Sequence, residues 1–260
     1  MKIFYCGDIV ARAGREVVLT HMRTIKEQYG IDVMLLNVEN AAHGFGVTPS
    51  ICRTFLQEGA NVLVTGNHFL NQSDIIPFLD ENKYIIRPAN IPASNPGRGY
   101  TVYELADGRA ILVIQVLGRV FMEAVDCPVQ ATEAILQKFT LGKNINAVFV
   151  DIHAEATAEK LSFGYYLDGR VSCVAGTHTH VPTADARILP NGTAYITDVG
   201  MCGDYNSVLG FDIQAPINRL CRHYTADRLT PAKGNGTLYG ILVETDDKNG
   251  LARSIKQISI

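Results

Sequence analysis

Short apolar runs alternate along this chain with stretches of helical period, and that alternation most narrows the folds open to it. Ile3–Cys6 reads as a buried strand, and Arg15–Gln28 as a helix whose apolar face runs through Val18, Met22 and Ile25. Val33–Val38 is a second strand. Pro49–Glu58 follows as a helix, with Thr48 as its cap and Pro49 in the first position, where the missing N–H would have no partner anyway. Val62–Thr65 is a third strand, followed by a helix over Asp74–Leu79 capped by Ser73 and a short strand at Tyr84–Ile86. Strands that are apolar throughout and joined by helices belong in a buried, largely parallel sheet covered on its faces.

The middle of the chain changes character. Pro88–Gly99 is rich in proline and reads as a loop, and Tyr100–Leu105 and Ala110–Val116 flank Asp107-Gly108, a strong hairpin signal. Alternation then resumes with a helix at Val129–Leu141, a strand at Ala147–Ile152, a helix near Ala156–Tyr166 and a strand at Val171–Ala175. A second hairpin turns at Pro190-Asn191-Gly192, between Arg187–Leu189 and Thr193–Ile196. The last strands are Thr237–Glu244 and Ile255–Ile260. With no linker, repeat or low-complexity stretch, residues 1–260 read as one α/β domain of mixed sheets sandwiched between helices.

Composition removes several functional classes. At 260 residues and 47% apolar side chains the chain can bury a large core and is not disordered. Its longest apolar runs, such as Ala110–Leu117, are strand-sized and too short for a membrane helix. The opening run Met1–Asp8 reaches an acid too soon for a signal peptide, so the expected location is the cytoplasm. A net charge of −3 without a lysine or arginine run argues against long nucleic acids. Cysteines 6, 52, 127, 173, 202 and 221 form no CxxC pair and mostly lie in or beside apolar runs, as free thiols in a reducing compartment would.

The chemistry concentrates at the carboxyl ends of the strands, where ligands of open α/β sheets collect. Those ends carry Asp8, then Glu39-Asn40, then Asn67-His68, then His153, and finally His178 and His180 in Gly176-Thr177-His178-Thr179-His180. Any one of them has an ordinary reading: Asp8 as a cap, Asn67 as a turn residue. His21, His43 and His223 are read that way, as satisfied surface or core groups. Five strand ends presenting carboxylate, amide and imidazole at one edge point instead to a metal site. An extended backbone at His178 and His180 would turn both imidazoles to one side. Mixed oxygen and nitrogen donors without thiolate suit iron or manganese ahead of zinc. So many donors suggest two ions bridged by one carboxylate, with Glu39 the candidate. Such a pair can hold a hydroxide nucleophile and clamp a phosphoryl displacement.

These residues resemble the calcineurin-like metallophosphoesterases, and more closely their YmdB-like branch, over the whole length. The matching blocks are Gly7-Asp8-Ile9-Val10 with Gly14-Arg15, Asn37-Val38-Glu39-Asn40-Ala41-Ala42, Gly66-Asn67-His68 and Arg87-Pro88-Ala89-Asn90. They continue with Gly118-Arg119-Val120-Phe121-Met122, Asp151–Thr157, Gly176–Asp185 and Thr197–Gly203. The resemblance implies a metallophosphoesterase-like sandwich of two mixed β-sheets flanked by helices, with a di-metal centre of divalent or trivalent ions, iron first. It implies that Asp8, Glu39, Asn40 and His180 hold one ion, that Glu39, Asn67, His153 and His178 hold the other, and that His68 is the general acid. Val10 stands where the wider superfamily has a second ligand histidine, which Asn40 would replace. Asn71 stands where relatives often carry aspartate, a change expected to act on pocket shape and rate more than on metal binding.

The resemblance further implies hydrolysis of small cyclic nucleotides, 2′,3′-cyclic ones above all, to 3′-nucleotides by a metal-bridging hydroxide. The alternatives are a phosphomonoesterase, a nuclease, or a regulatory protein that retains the fold; a homo-oligomer is a family-level expectation. Arg15, Arg119, Glu155, Lys160 and Tyr165 divide evenly between pocket and structural readings. Gly44-Phe45-Gly46 and Met201-Cys202-Gly203 are expected to be flexible or close-approach rim loops, with Phe45 either stacking on a base or packed within its loop.

Overall fold

The computed structural model describes residues 1–222 and 226–260. Its first half runs β1 (Lys2–Cys6), β2 (Asp8–Ile9), α1 (Ala11–Tyr29), β3 (Val33–Asn37), α2 (Pro49–Gln57), β4 (Val62–Val64), α3 (Ile75–Glu81) and β5 (Ile85–Ile86). Then come β6 (Tyr100–Glu104), β7 (Ala110–Leu117), α4 (Pro128–Leu136), β8 (Ala147–His153), α5 (Thr157–Leu167) and β9 (Cys173–Thr177). The chain closes with β10 (Arg187–Ile188), β11 (Ala194–Ile196), β12 (Met201–Cys202), α6 (Gln214–Cys221), β13 (Tyr239–Thr245) and β14 (Ala252–Ser259).

Two six-stranded sheets form, in the orders β14-β13-β1-β3-β4-β5 and β10-β11-β9-β8-β7-β6. In the first sheet β1, β3, β4 and β5 run parallel, with β13 and β14 added antiparallel at one margin; in the second β7, β8, β9 and β11 run parallel between antiparallel β6 and β10. Side-chain alternation then builds three layers of core. Ile3, Tyr5, Leu35 and Val64 of the first sheet pack against Val113, Phe149 and Ala175 of the second. The opposite face of the first sheet, through Phe4, Leu36 and Leu63, buries Val18, Met22 and Ile25 of α1 with Phe55 and Leu79 of the next helices. The far face of the second sheet, through Ile114, Val148 and Val150, takes Phe163 and Leu167 of α5. Residues of opposite parity in one strand thus serve different cores. The sequence reading of one α/β domain with two mixed, helix-flanked sheets matches this architecture.

Most element readings match to within a few residues, and four need correction. Thr48 caps α2 as expected, its hydroxyl accepting the Ile51 N–H at 3.4 Å. Ser73 does not cap α3; Asp74 occupies the cap position and makes no side-chain cap bond. The first helix begins at Ala11, four residues before the apolar period declares itself. α6, a polar segment, has no counterpart in the sequence pattern. Met201-Cys202 is a strand, not a loop: β12 pairs in parallel with β2 and both residues are buried, so of the two expectations the close approach holds and the flexible loop does not. Neighbouring glycines explain that pairing, because a Cβ on Gly7 would strike the Gly200 carbonyl and one on Gly14 the Cys202 carbonyl.

Of the cysteines, 6, 52, 173 and 202 are buried free thiols, whereas Cys127 is half-buried and Cys221 exposed. Among the described residues no helix is long and apolar enough to cross a membrane. The Phe149 ring meets Tyr5 edge-on across the sheets at 4.8 Å. Phe149→Ala should therefore cost about 3–5 kcal/mol of stability, read as a lowered urea midpoint with unchanged slope.

Candidate metal centre

The inner faces of both sheets are apolar for most of their depth and turn polar at the carboxyl ends. In β8, Phe149, Asp151 and His153 share the inner face, so the register that packs Phe149 also delivers His153 to the edge. The turns after β3 and β4 bring Glu39 and Asn67 from the other sheet, and Asp8 enters from β2. A Cβ on Gly66 would collide with the Glu39 carboxylate and stand 2.8 Å from His153 Nε2, so only glycine admits this approach.

His153 Nε2 lies 2.7 Å from Glu39 Oε2, 3.1 Å from Asn67 Oδ1 and 3.1 Å from His178 Nδ1. Burial pushes His153 down to about 3, so at neutral pH it is uncharged and its contact with Glu39 is not an ion pair. Its Nδ1 is 2.9 Å from Thr177 Oγ1, which donates to Asp151 Oδ1 at 2.7 Å. Burial raises Asp151 to about 8 against the pull of its bonds from Thr177 and Gln115; a cation nearby favours the ionised form. If a cation ionised Asp151, Thr177 would accept from His153 Nδ1–H and turn the Nε2 lone pair toward Glu39 Oε2 and Asn67 Oδ1.

The carboxylates show the same pattern. Asp8 Oδ2 accepts the His178 N–H and Glu39 Oε1 the His68 N–H, each at 3.1 Å. Their second oxygens, Asp8 Oδ1 and Glu39 Oε2, are buried without a hydrogen-bond partner, as is Asn40 Oδ1. Burial raises Asp8 and carries Glu39 to about 7. Unpartnered acceptors at this depth are costly unless a cation joins them. Among the described residues, Asp8, Glu39 and His153 form the one close cluster of carboxylate and imidazole donors that could hold an ion. The oxygen and nitrogen donors fit a hard or borderline metal.

His178 and His180 reach the centre by a different route from the extended one expected. β9 ends at Thr177, and both histidines adopt left-handed backbone, with φ of +92° and +64°. Strained residues of this kind persist where their surroundings overdetermine them. Here Asp198 Oδ2 accepts the Thr179 N–H and hydroxyl at 3.1 and 2.6 Å and the Lys160 ammonium at 2.9 Å, while its Oδ1 takes the Gly200 N–H at 2.8 Å. Each imidazole is also held from its outer side. His178 Nε2 lies 3.3 Å from Glu155 Oε2, and His180 Nδ1 donates to the Leu209 carbonyl at 3.1 Å.

Asn40, His68, His178 and His180 line a cavity of about 350 Å3 that Phe45 and Phe211 also line. A roomier hollow of about 460 Å3 near Asp80 and Arg98 contains none of these groups. All eight residues singled out from the sequence therefore either meet at the centre or face its cavity. Among the evenly divided residues, Lys160 is structural, Arg15 donates to the Ala41 carbonyl, Glu155 holds His178, and the Arg119 N–H donates to Glu159 at 2.9 Å. Tyr165 is exposed. His21 and His43 line other hollows and are not in the donor cluster, and His223 is outside the described residues. Sequence reasoning missed Thr177, Asp151 and Asp198; the two-residue spacing of Asp151 and His153 on one strand was the available signal.

A two-sheet α/β sandwich with this donor set at its strand ends defines a phosphoesterase of the metallophosphoesterase class. Residues 4–258 match the family model described as YmdB-like protein. The chain is 43% identical to the 2′,3′-cyclic-nucleotide 2′-phosphodiesterase of Bacillus subtilis (strain 168), over 100% of this chain and 97% of the relative. Two solved structures superpose at a TM-score of 0.93: a hypothetical protein from Thermus thermophilus, 34% identical, covering 100% of this chain and 99% of its own, and a phosphatase from Mycoplasma pneumoniae, 31% identical, covering 100% and 93%. The chain belongs to the YmdB-like family.

The Lys160–Asp198 pair is fully buried, and losing one partner strands the other charge. Lys160→Met should cost about 3–5 kcal/mol in urea denaturation, whereas a merely superficial pair would cost under about 1 kcal/mol.

Proposed function

We propose that this phosphoesterase hydrolyses small cyclic phosphodiesters, 2′,3′-cyclic nucleotides first, to 3′-nucleotides at a centre of two cations. The carrying observation is the set of buried acceptor atoms on Asp8, Glu39 and Asn40 that have no hydrogen-bond partner. In this reading Asp8, Glu39, Asn40 and His180 hold one cation and Glu39, Asn67, His153 and His178 the other, with Glu39 common to both. Bound there, the ions would supply an activated water and neutralise charge on the phosphoryl oxygens; iron is the first candidate, then manganese and zinc.

The protein's own groups do the rest. Backbone N–H groups of His68 and His178 fix one oxygen of each carboxylate and so aim the other inward. Thr177, Glu155 and the Leu209 carbonyl set which nitrogen of each histidine faces the centre. His68 stands half-buried at the cavity wall. As water adds to phosphorus and the P–O2′ bond breaks, His68 would give a proton to the departing ribose oxygen. The Bacillus relative's name supports the 2′,3′-cyclic substrate, and the net charge of −3 supports a small substrate over a long nucleic acid. A cytoplasmic location and self-association complete the proposal.

The test is a 31P NMR time course on 2′,3′-cyclic AMP with enzyme purified anaerobically and its metals counted. Wild type should yield 3′-AMP. Glu39→Ala should lose metal and turnover together. His68→Ala should keep its metals and lose roughly 10²- to 10⁴-fold in rate; full turnover by that variant would remove the acid role. Hydrolysis of phosphomonoesters with no action on the cyclic compound would replace the phosphodiesterase reading with a phosphatase.

A further inference from the structure

We propose that the apolar half of the active-site cavity is a nucleobase subsite, in which Phe45 and Phe211 select substrates that carry an aromatic base. The inference rests on the phosphodiesterase reading above and adds what that reading leaves open, namely which part of the substrate the enzyme recognises. The cavity lining has two chemically different parts. Asn40, His68, His178 and His180 supply polar groups, and Phe45, Phe211, Val208, Leu209, Pro216 and Leu229 supply an apolar surface, with Arg219 also in the lining. A bare phosphate would leave that apolar surface uncovered. A nucleotide suits both, because its phosphate and its base stand a ribose apart.

The two aromatic rings are stacked on each other, with centroids 5.2 Å apart and planes at 29°. Phe45 also meets the His68 ring edge-on at 5.1 Å, so the aromatic wall starts at the proposed acid. Both rings are held in place before any ligand arrives. The Phe45 carbonyl accepts Gln72 Nε2 at 2.8 Å, and its N–H donates to the Ala42 carbonyl at 3.0 Å. Phe211 exchanges backbone hydrogen bonds with Val208 at 2.9 and 3.0 Å. Gly44, at φ +92°, lies under the Phe211 ring, where a Cβ would come within 2.7 Å.

Two further observations favour a ligand over simple packing. Val208 and Leu209 both line the cavity and are 37% and 44% exposed, so apolar area remains for a planar base to cover. Leu209 has a left-handed φ of +55°, and its carbonyl orients His180. The segment that shapes the apolar wall therefore also positions a proposed metal ligand.

The test compares kcat/KM for 2′,3′-cyclic AMP with that for methyl riboside 2′,3′-cyclic phosphate, which has the ester but no base. Wild type, Phe45→Leu and Phe211→Leu are used, each checked for wild-type circular dichroism and metal content. Leucine keeps apolar bulk and removes the flat face. Wild type should prefer the base-bearing compound by about tenfold or more, and each variant should lose most of that preference through KM. A wild-type ratio near one, or a preference that survives both substitutions, would overturn the subsite.

If wild type turns over neither compound, the phosphodiesterase reading fails separately. Equilibrium dialysis of 3′-AMP against inorganic phosphate then decides the subsite on the metal-loaded protein. Tighter retention of 3′-AMP that weakens in Phe211→Leu would uphold it, and equal retention of the two would overturn it.

Discussion

Buried acceptor atoms that face one another without a hydrogen-bond partner are the constraint on which this structure turns. Asp8 Oδ1, Glu39 Oε2 and Asn40 Oδ1 are each buried and unpartnered, and Nε2 of the uncharged His153 stands 2.7 Å from one of them. Such an arrangement repels itself unless a cation enters, so the rest of the fold must hold it together. It does so by giving each donor group a second, satisfied contact on its outer side: backbone N–H groups for the carboxylates, and Thr177, Glu155 and a carbonyl for the histidines.

That outer ring depends on the two-sheet frame. Because alternate residues of a strand face opposite ways, the same β8 register that seats Phe149 against Tyr5 places Asp151 and His153 at the polar edge. The buried Lys160–Asp198 pair plays the corresponding part for the histidine segment after β9, bonding Thr179 between two left-handed histidines. A single buried carboxylate thus ties helix α5, the segment after β11 and the strained loop into one unit. The proposed base-contacting residues sit one step farther out, on the loops carrying Phe45 and Phe211. Loops of this kind can change without disturbing the donor set.

Where sequence reading succeeded and where it failed has a physical pattern. Long apolar strands such as Ala147–His153, and capped helices such as Pro49–Gln57, carry their signal locally and were legible. β12 was not: two residues following glycine look like a loop, and only the glycine contacts with the Gly200 and Cys202 carbonyls make a strand of them. The donor residues were legible as types at strand ends. Their geometry was only partly so, since His178 and His180 converge through positive φ angles where an extended backbone was expected. Asp198 lies within a motif visible in the sequence, yet its role under the histidines depends on a lysine 38 residues away in the chain.

By itself the amino-acid order determined the layers, because apolar period is a local property that any burying partner will satisfy. It also determined which groups could do chemistry, since carboxylates, amides and imidazoles were placed where strands end. Only the tertiary structure decided which nitrogen of each histidine faces the centre, which carboxylate oxygens go without a partner, and which aromatics face the resulting cavity. Those properties come from groups far apart in the chain meeting at about 3 Å, a distance at which orientation and the exclusion of water, more than residue type, set what a side chain can do.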